Sequence, residues 1–195
     1  MKSFYKQVTC FVGLTGFLIN FNTECLNAAT FVRINSGFGI LNRLDDYSSI
    51  DGYAPASRPK NSNLYGINIG YKFQNNVSLD FFYKKFDKFK YSAKDNAKYF
   101  YSQNIGISSY TINAQYNFEN NSKIYPFARV GIGLSKNKLG KYNAINRGDK
   151  SKEYALNSNT SNNFTFNVGA GIGYRINDKL AADFNYQYHD LGEIK

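Results

Sequence analysis

Apolar and polar residues alternate without a break from Phe164 to Ile176. Phe164, Phe166, Val168, Ala170, Ile172, Tyr174 and Ile176 take the even positions, and Thr165, Asn167, Gly169, Gly171, Gly173 and Arg175 lie between them. After Asn177-Asp178-Lys179 the period resumes with Leu180, Ala182, Phe184, Tyr186 and Tyr188 set against Asp183, Asn185 and Gln187. Side chains of a strand point alternately to its two faces, so one face here is apolar throughout and the other small or polar. Soluble strands average about 5–6 residues, whereas a tilted bilayer crossing takes about 9–11. The pair reads as a transmembrane β-hairpin.

The same pattern recurs upstream. A strand is predicted from about 30 to 41 (Val32, Ile34, Phe38 and Ile40 against Arg33, Asn35, Gly37 and Gly39) and another from about 64 to 73. A third opens at Val77, a fourth runs from about 109 to 118, and a fifth carries Ala128, Val130, Ile132 and Leu134 opposite Phe127, Arg129, Gly131 and Gly133. Connections alternate in length. Residues 74–76, 119–123 and 177–179 are short polar turns, while about 42–63, 87–108 and 136–163 are long and rich in Asn, Ser, Lys and Asp. Short periplasmic turns and long external loops are the habit of an outer-membrane barrel. This topology puts the start of the first of these strands in the periplasm. The fold class predicted is all-β: an antiparallel up-and-down transmembrane β-barrel of the eight-strand type, with seven strands recognisable.

Composition supports that reading. Mean hydropathy is −0.48, which would suggest a soluble chain, but alternating lumen and lipid faces cancel in any average. Aromatic residues, 17% of the chain and all Tyr or Phe, gather at strand ends, where amphipathic rings suit the headgroup boundary. Residues 1–28 read as a signal peptide, with Lys2 and Lys6 before a mostly apolar run from Val8 to Phe21 that is too short for a membrane helix. Both cysteines, Cys10 and Cys25, fall inside it, leaving residues 29–195, the barrel domain, without thiol or disulfide chemistry. The net charge of +10 accompanies an Asn-, Lys- and Ile-rich composition of the kind AT-rich coding produces. No nucleic-acid-binding motif accompanies it, so nucleic acid is not an expected partner.

Charged residues on the polar faces are assigned to the lumen as structural groups: Arg33, Lys72, Asp80, Lys84, Arg129, Arg175 and Asp183. Charges in a narrow interior must pair or find water. Lys72 with Asp80 and Arg175 with Asp183 are the pairs within reach on adjacent strands, and the interleaved glycines are expected to make room for these long side chains.

The stretches YPFARVGIGLS at 125–135 and VGAGIGYRINDKLAADFNYQYHDLG at 168–192 resemble the small OmpA/OmpX-like and opacity-type surface-antigen barrels of Gram-negative outer membranes. The resemblance implies an outer-membrane location. It also implies an eighth, closing strand ending in an aromatic residue. The sequence reaches Leu191-Gly192-Glu193-Ile194-Lys195 without one, so the C-terminal strand is expected to be missing, since open edges are not tolerated in hydrocarbon.

Chemistry is sparse. His189, beside Asp190, is the single histidine; a barrel enzyme acting on lipid A would use such a residue at the outer rim. Nothing has metal-ligand spacing or cradles a phosphate, so no catalytic residue, metal or cofactor is assigned. The third loop concentrates cations and aromatics, namely Lys138, Lys141, Tyr142, Arg147, Lys150, Lys152 and Tyr154, and is the predicted partner-binding loop. Facing outward it would attract lipopolysaccharide or acidic groups of a host surface. The function expected is that of a non-enzymatic surface protein, an adhesin or surface antigen. A narrow porin-like channel is the first alternative and a lipid A-modifying enzyme the second. The oligomeric state is not legible.

Overall fold

The computed structural model describes residues 6–21, 29–41, 61–73, 75–94, 99–118, 121–140, 142–146, 152–156 and 158–194. Within these lie β1 (Lys6–Phe21), β2 (Ala29–Leu41), β3 (Ser62–Lys72), β4 (Val77–Lys94), β5 (Tyr99–Asn117), β6 (Ile124–Leu139), β7 (Tyr142–Asn146), β8 (Lys152–Leu156), β9 (Asn159–Arg175) and β10 (Leu180–Ile194). All pairings are antiparallel. The sheet runs β4-β3-β2-β1-β10-β9-β6-β5, and β4 also pairs with β5, so eight strands close on themselves. The hairpin β7–β8 hangs from the upper end of β5, where Tyr99 lies opposite Asn146.

The seven strands read from the alternation are β2, β3, β4, β5, β6, β9 and β10. The eighth place is taken by β1, which pairs with β2 (Gly16 opposite Asn35) and with β10 (Gly16 opposite Asp183). β2 runs from the short-turn end toward the long-loop end, as expected. β1 runs the other way, so the described chain begins at the long-loop end. Its register sets even positions (Val12, Leu14, Leu18) beside lumen-facing residues of β2 and odd positions (Phe11, Phe17, Ile19) on the opposite parity. It is apolar on both parities, unlike any other wall strand.

Turn chemistry is local. Asn76 adopts φ 64°, a left-handed conformation that Asn tolerates better than most residues. Asn177 Oδ1 accepts from the backbone N–H of Lys179 (2.9 Å) and Leu180 (2.8 Å), an Asx turn that fixes the β9–β10 reversal.

Two of the long loops are not loops. β4 continues to Lys94 and β5 starts at Tyr99, so most of 87–108 is an extended hairpin. β6 reaches Leu139 opposite Asn159 of β9, and β7 and β8 take up much of what remained of the third loop. At 18 and 19 residues, β4 and β5 exceed a crossing of about 9–11 and stand well clear of the membrane. The first long loop, 42–60, lies outside the described residues.

The barrel is inverted relative to a soluble protein. Ile112, Val130, Ile132, Leu134, Phe164 and Phe184 are more than half exposed on the outside, an apolar surface far too large for a water-facing monomer. Ring pairs border it at both ends: Tyr83–Tyr110 (5.1 Å) above, Tyr71–Phe73 (4.9 Å) and Tyr116–Phe118 (5.0 Å) below. These are the girdles expected at the two interfaces.

Candidate functional site

The interior is a filled column of polar side chains. Asp80 on β4 accepts from Arg129 Nη2 (2.7 Å), Asn68 (2.5 Å) and Asn113 (2.8 Å). Asn35 extends that network through Asn68 (2.6 Å) and Asn167 through Asn113 (3.0 Å). Arg33 on β2 faces Asp183 on β10 (Nε to Oδ2, 3.0 Å) and donates to Gln115 (3.1 Å). From Asp183 a ladder climbs through Asn185 (3.3 Å) and Gln187 (2.8 Å) to His189 (2.9 Å). Lys84 Nζ lies 2.7 Å from His189 Nε2. An ammonium only donates and the Gln187 Oε1 only accepts, so Nε2–H donates to Gln187 (2.9 Å) and the ring nitrogen that accepts from Lys84 is Nδ1, 3.0 Å away.

Arg33, Asp80, Lys84, Arg129 and Asp183 are buried inside the barrel, but the pairing differs from the one expected. Among the described residues, Asp80 pairs with Arg129 and not Lys72, and Asp183 with Arg33 and not Arg175. Each pair reaches over one intervening strand, β5 in the first case and β1 in the second. The reason lies in the nearest neighbours. Asp80 sits opposite Gly70 and Asp183 opposite Gly173, so the adjacent strand offers no side chain at that level. Nor is the space left by glycine given mainly to charged chains. A Cβ on Gly70 would meet the Phe31 ring at 2.5 Å, on Gly171 the Phe127 ring at 2.5 Å and on Gly173 the Tyr125 ring at 2.2 Å. The inward aromatics Phe31, Tyr125 and Phe127 pack against those glycines. Lys72 and Arg175 stand half-buried at the short-turn mouth, with the Arg175 guanidinium 5.0 Å from the Tyr125 ring centroid. A cavity of about 340 Å³ opens there and ends on Arg33.

Toward the long-loop end the column changes character. Leu41, Leu64, Phe82, Phe86, Phe89, Ile105, Ile107 and Leu191 form a buried apolar cluster inside the barrel. Ser135 (2.6 Å) and Asn137 (2.9 Å) tie the Leu191 carbonyl to β6. His189 lies beneath this cap with none of its surface exposed. The rim placement needed for a lipid-directed catalyst is not what the structure has.

The predicted binding loop is scattered over three elements. Lys138 is exposed on β6, Tyr142 opens β7, Lys152 opens β8 and Tyr154 follows on it. Lys141, Arg147 and Lys150 lie outside the described residues.

The family model described as "Outer membrane protein beta-barrel domain" matches residues 25–195. The chain belongs to this family. It is an outer-membrane protein by family, by closed antiparallel topology and by its apolar exterior. The match begins after the apolar run at 8–21. Among characterised proteins the chain is 29% identical over 93 residues to the outer membrane protein PagN of Salmonella typhimurium, covering 46% of this chain and 36% of that one. It is 28% identical over 106 residues to opacity protein V28 of Neisseria gonorrhoeae, covering 46% of this chain and 45% of that one. It thus spans less than half the length of either relative. Among solved structures, the attachment invasion locus protein Ail of Yersinia pestis, in complex with the heparin analogue sucrose octasulfate, aligns over 97% of this chain and 99% of its own at 12% identity, with a TM-score of 0.36. So loose a likeness carries no argument about function.

Proposed function

We propose that the protein is a non-enzymatic surface protein that makes adhesive contacts through the sheet and loops raised above the membrane. The observation that carries this is the filled lumen. Eight strands leave an interior that side chains can fill, and here two ion pairs, an amide ladder and an apolar cap occupy it, which argues against the porin-like alternative. Burial of His189 argues against the lipid A-modifying alternative. Among the described residues, what remains available to a partner is the extension of β4, β5 and β6 with the β7–β8 hairpin; Lys138 and Lys152 lie there, and the sequence adds Lys141, Arg147 and Lys150 to the same stretch. Acidic groups of a host surface and the lipopolysaccharide around the barrel are the partners this charge suits. The eight-strand count includes β1, so an export role for residues 1–28 in this proposal would require another strand in the place that β1 holds between β2 and β10.

Deleting residues 141–157 tests the reading. The cut joins Gly140 to Ser158 between the paired residues Leu139 and Asn159, and Gly in the first position of a two-residue hairpin suits a type II′ turn. The barrel should fold and insert unchanged while binding of expressing cells to a host-cell layer is lost. Undiminished binding would remove the β7–β8 region from the site.

A further inference from the structure

The outer faces of β4, β5 and β6 carry a layered arrangement. Tyr83, Tyr110 and Leu134 lie side by side in one row of the register and end the apolar exterior. In the next row up, Lys85 lies opposite Ser108 and Ser108 opposite Lys136. Above that, Lys138 lies opposite Gly106, and the Asp87–Lys88 bulge and then Lys90, opposite Asn104, continue the pattern on β4. Lys85, Lys88, Lys90, Lys136 and Lys138 are all exposed, with Asp87 the acid among them. The two lysine columns stand about 10 Å apart, because one strand of about 4.8 Å spacing separates each from β5, and β5 presents only Asn104, Gly106 and Ser108 between them.

Directly below on the same face is a groove of about 430 Å³, lined by Leu79, Ile112, Ala114, Val130, Ile132 and Phe166 among others. The small side chain of Ala114 forms its floor between Leu79 and Val130, which are larger. From the Ser108 row to Ala114 is roughly 20 Å along the strand. At a tilt of about 45° that descends roughly 14 Å, close to half the hydrocarbon thickness of about 30 Å. The lysines therefore sit at headgroup height when the groove lies at the depth of one leaflet's chains.

We propose that this face is a binding site for a membrane lipid with a phosphorylated headgroup, the phosphates lying between the two lysine columns and an acyl chain along β5 in the groove. With the long-loop end outward, the lipid is the bis-phosphorylated lipid A of the outer leaflet. The proposal deepens the surface-protein reading and rests on its orientation. An epitope placed between residues 147 and 150 and probed on intact cells reports that orientation separately, so a failure there is distinct from a failure of the site.

The test is a titration of the folded, detergent-solubilised protein with bis-phosphorylated lipid A, read by native mass spectrometry. Each lysine near an anionic surface is worth about a fivefold change in binding. Lys136→Gln with Lys138→Gln should therefore weaken retention about 25-fold, Lys88→Gln with Lys90→Gln similarly, and Lys179→Gln at the opposite end not at all. Ala114→Phe, which fills the groove, should weaken lipid A with every lysine intact. Gel mobility before boiling identifies variants that have folded, and these sites face outward, where core packing is not disturbed. Equal retention of phosphatidylglycerol, undiminished lipid A binding by the lysine variants, or lysine-dependent binding of a sulfated polysaccharide in preference to lipid A would each overturn the assignment.

Discussion

Asp80→Asn is the sharpest probe of the lumen. Asp80 accepts three hydrogen bonds, from Arg129 at 2.7 Å, Asn68 at 2.5 Å and Asn113 at 2.8 Å, and the side chains of both ion-pair partners are at most 1% exposed. The amide keeps the shape and removes the charge. It leaves the Arg129 guanidinium buried without a counter-ion and turns an NH₂ group toward donors that need an acceptor. Removing one member of a buried pair costs about 3–5 kcal/mol, a large fraction of a typical total of about 5–15 kcal/mol. Replacing both members by apolar residues of similar bulk, Asp80→Leu with Arg129→Met, removes the uncompensated charge, so the double variant should recover the part of the loss that the charge causes, while Asn68 and Asn113 still lack their acceptor. The assay is a urea titration of barrel folded into vesicles. Gel mobility before boiling gives the folded fraction, because the chain has no Trp for emission. A single variant within about 1 kcal/mol of wild type, or a double variant no better than the single, would refute the account of the lumen as a coupled charge network.

Three further outcomes follow from the same geometry. Planar bilayers containing the purified protein should show no steady conductance, and a stable open level abolished at Arg129 or Arg33 would reverse the reading of the lumen as closed. Gly133→Ala places a Cβ 1.9 Å from the Tyr110 carbonyl oxygen and 2.7 Å from Thr111 Cα; since backbone must move, it should destabilise by about 1–3 kcal/mol in the same titration, more than Gly106→Ala, where a Cβ meets nothing within 4 Å. N-terminal sequencing of the outer-membrane form should begin near residue 29 if the first segment directs export, whereas a start at Met1 or Lys2 would assign that segment to the wall permanently.

The seven strands were legible because each holds one parity of apolar residues against another of glycine, amide and charge. The hairpin above the membrane was not, and its cause is local. The bulge at Asp87–Lys88 shifts parity, so that Phe86 and Phe89 both point inward, and a strict period-two search loses the strand there. Burial of the lumen charges could be read from alternation. Their partners could not, since these depend on which neighbours are glycine across the closed sheet. The apolar cap escaped for a related reason: Phe82 and Phe86 are apolar on the polar parity, and Phe89 lies on the apolar parity until the bulge turns it inward, so alternation alone gives no reason to look there. β1 resisted for the opposite reason, as its apolar run lacks any parity and reads more readily as an export signal than as a wall.

The two ion pairs that reach across a strand also bear on how the barrel assembles. Asp80 and Arg129 belong to strands that never touch, and come within 2.7 Å only once β5 lies between them in correct register. A slip of one residue would turn either charge out into hydrocarbon. The pair therefore acts as a proofreading latch that closes on one alignment of three strands and penalises every other.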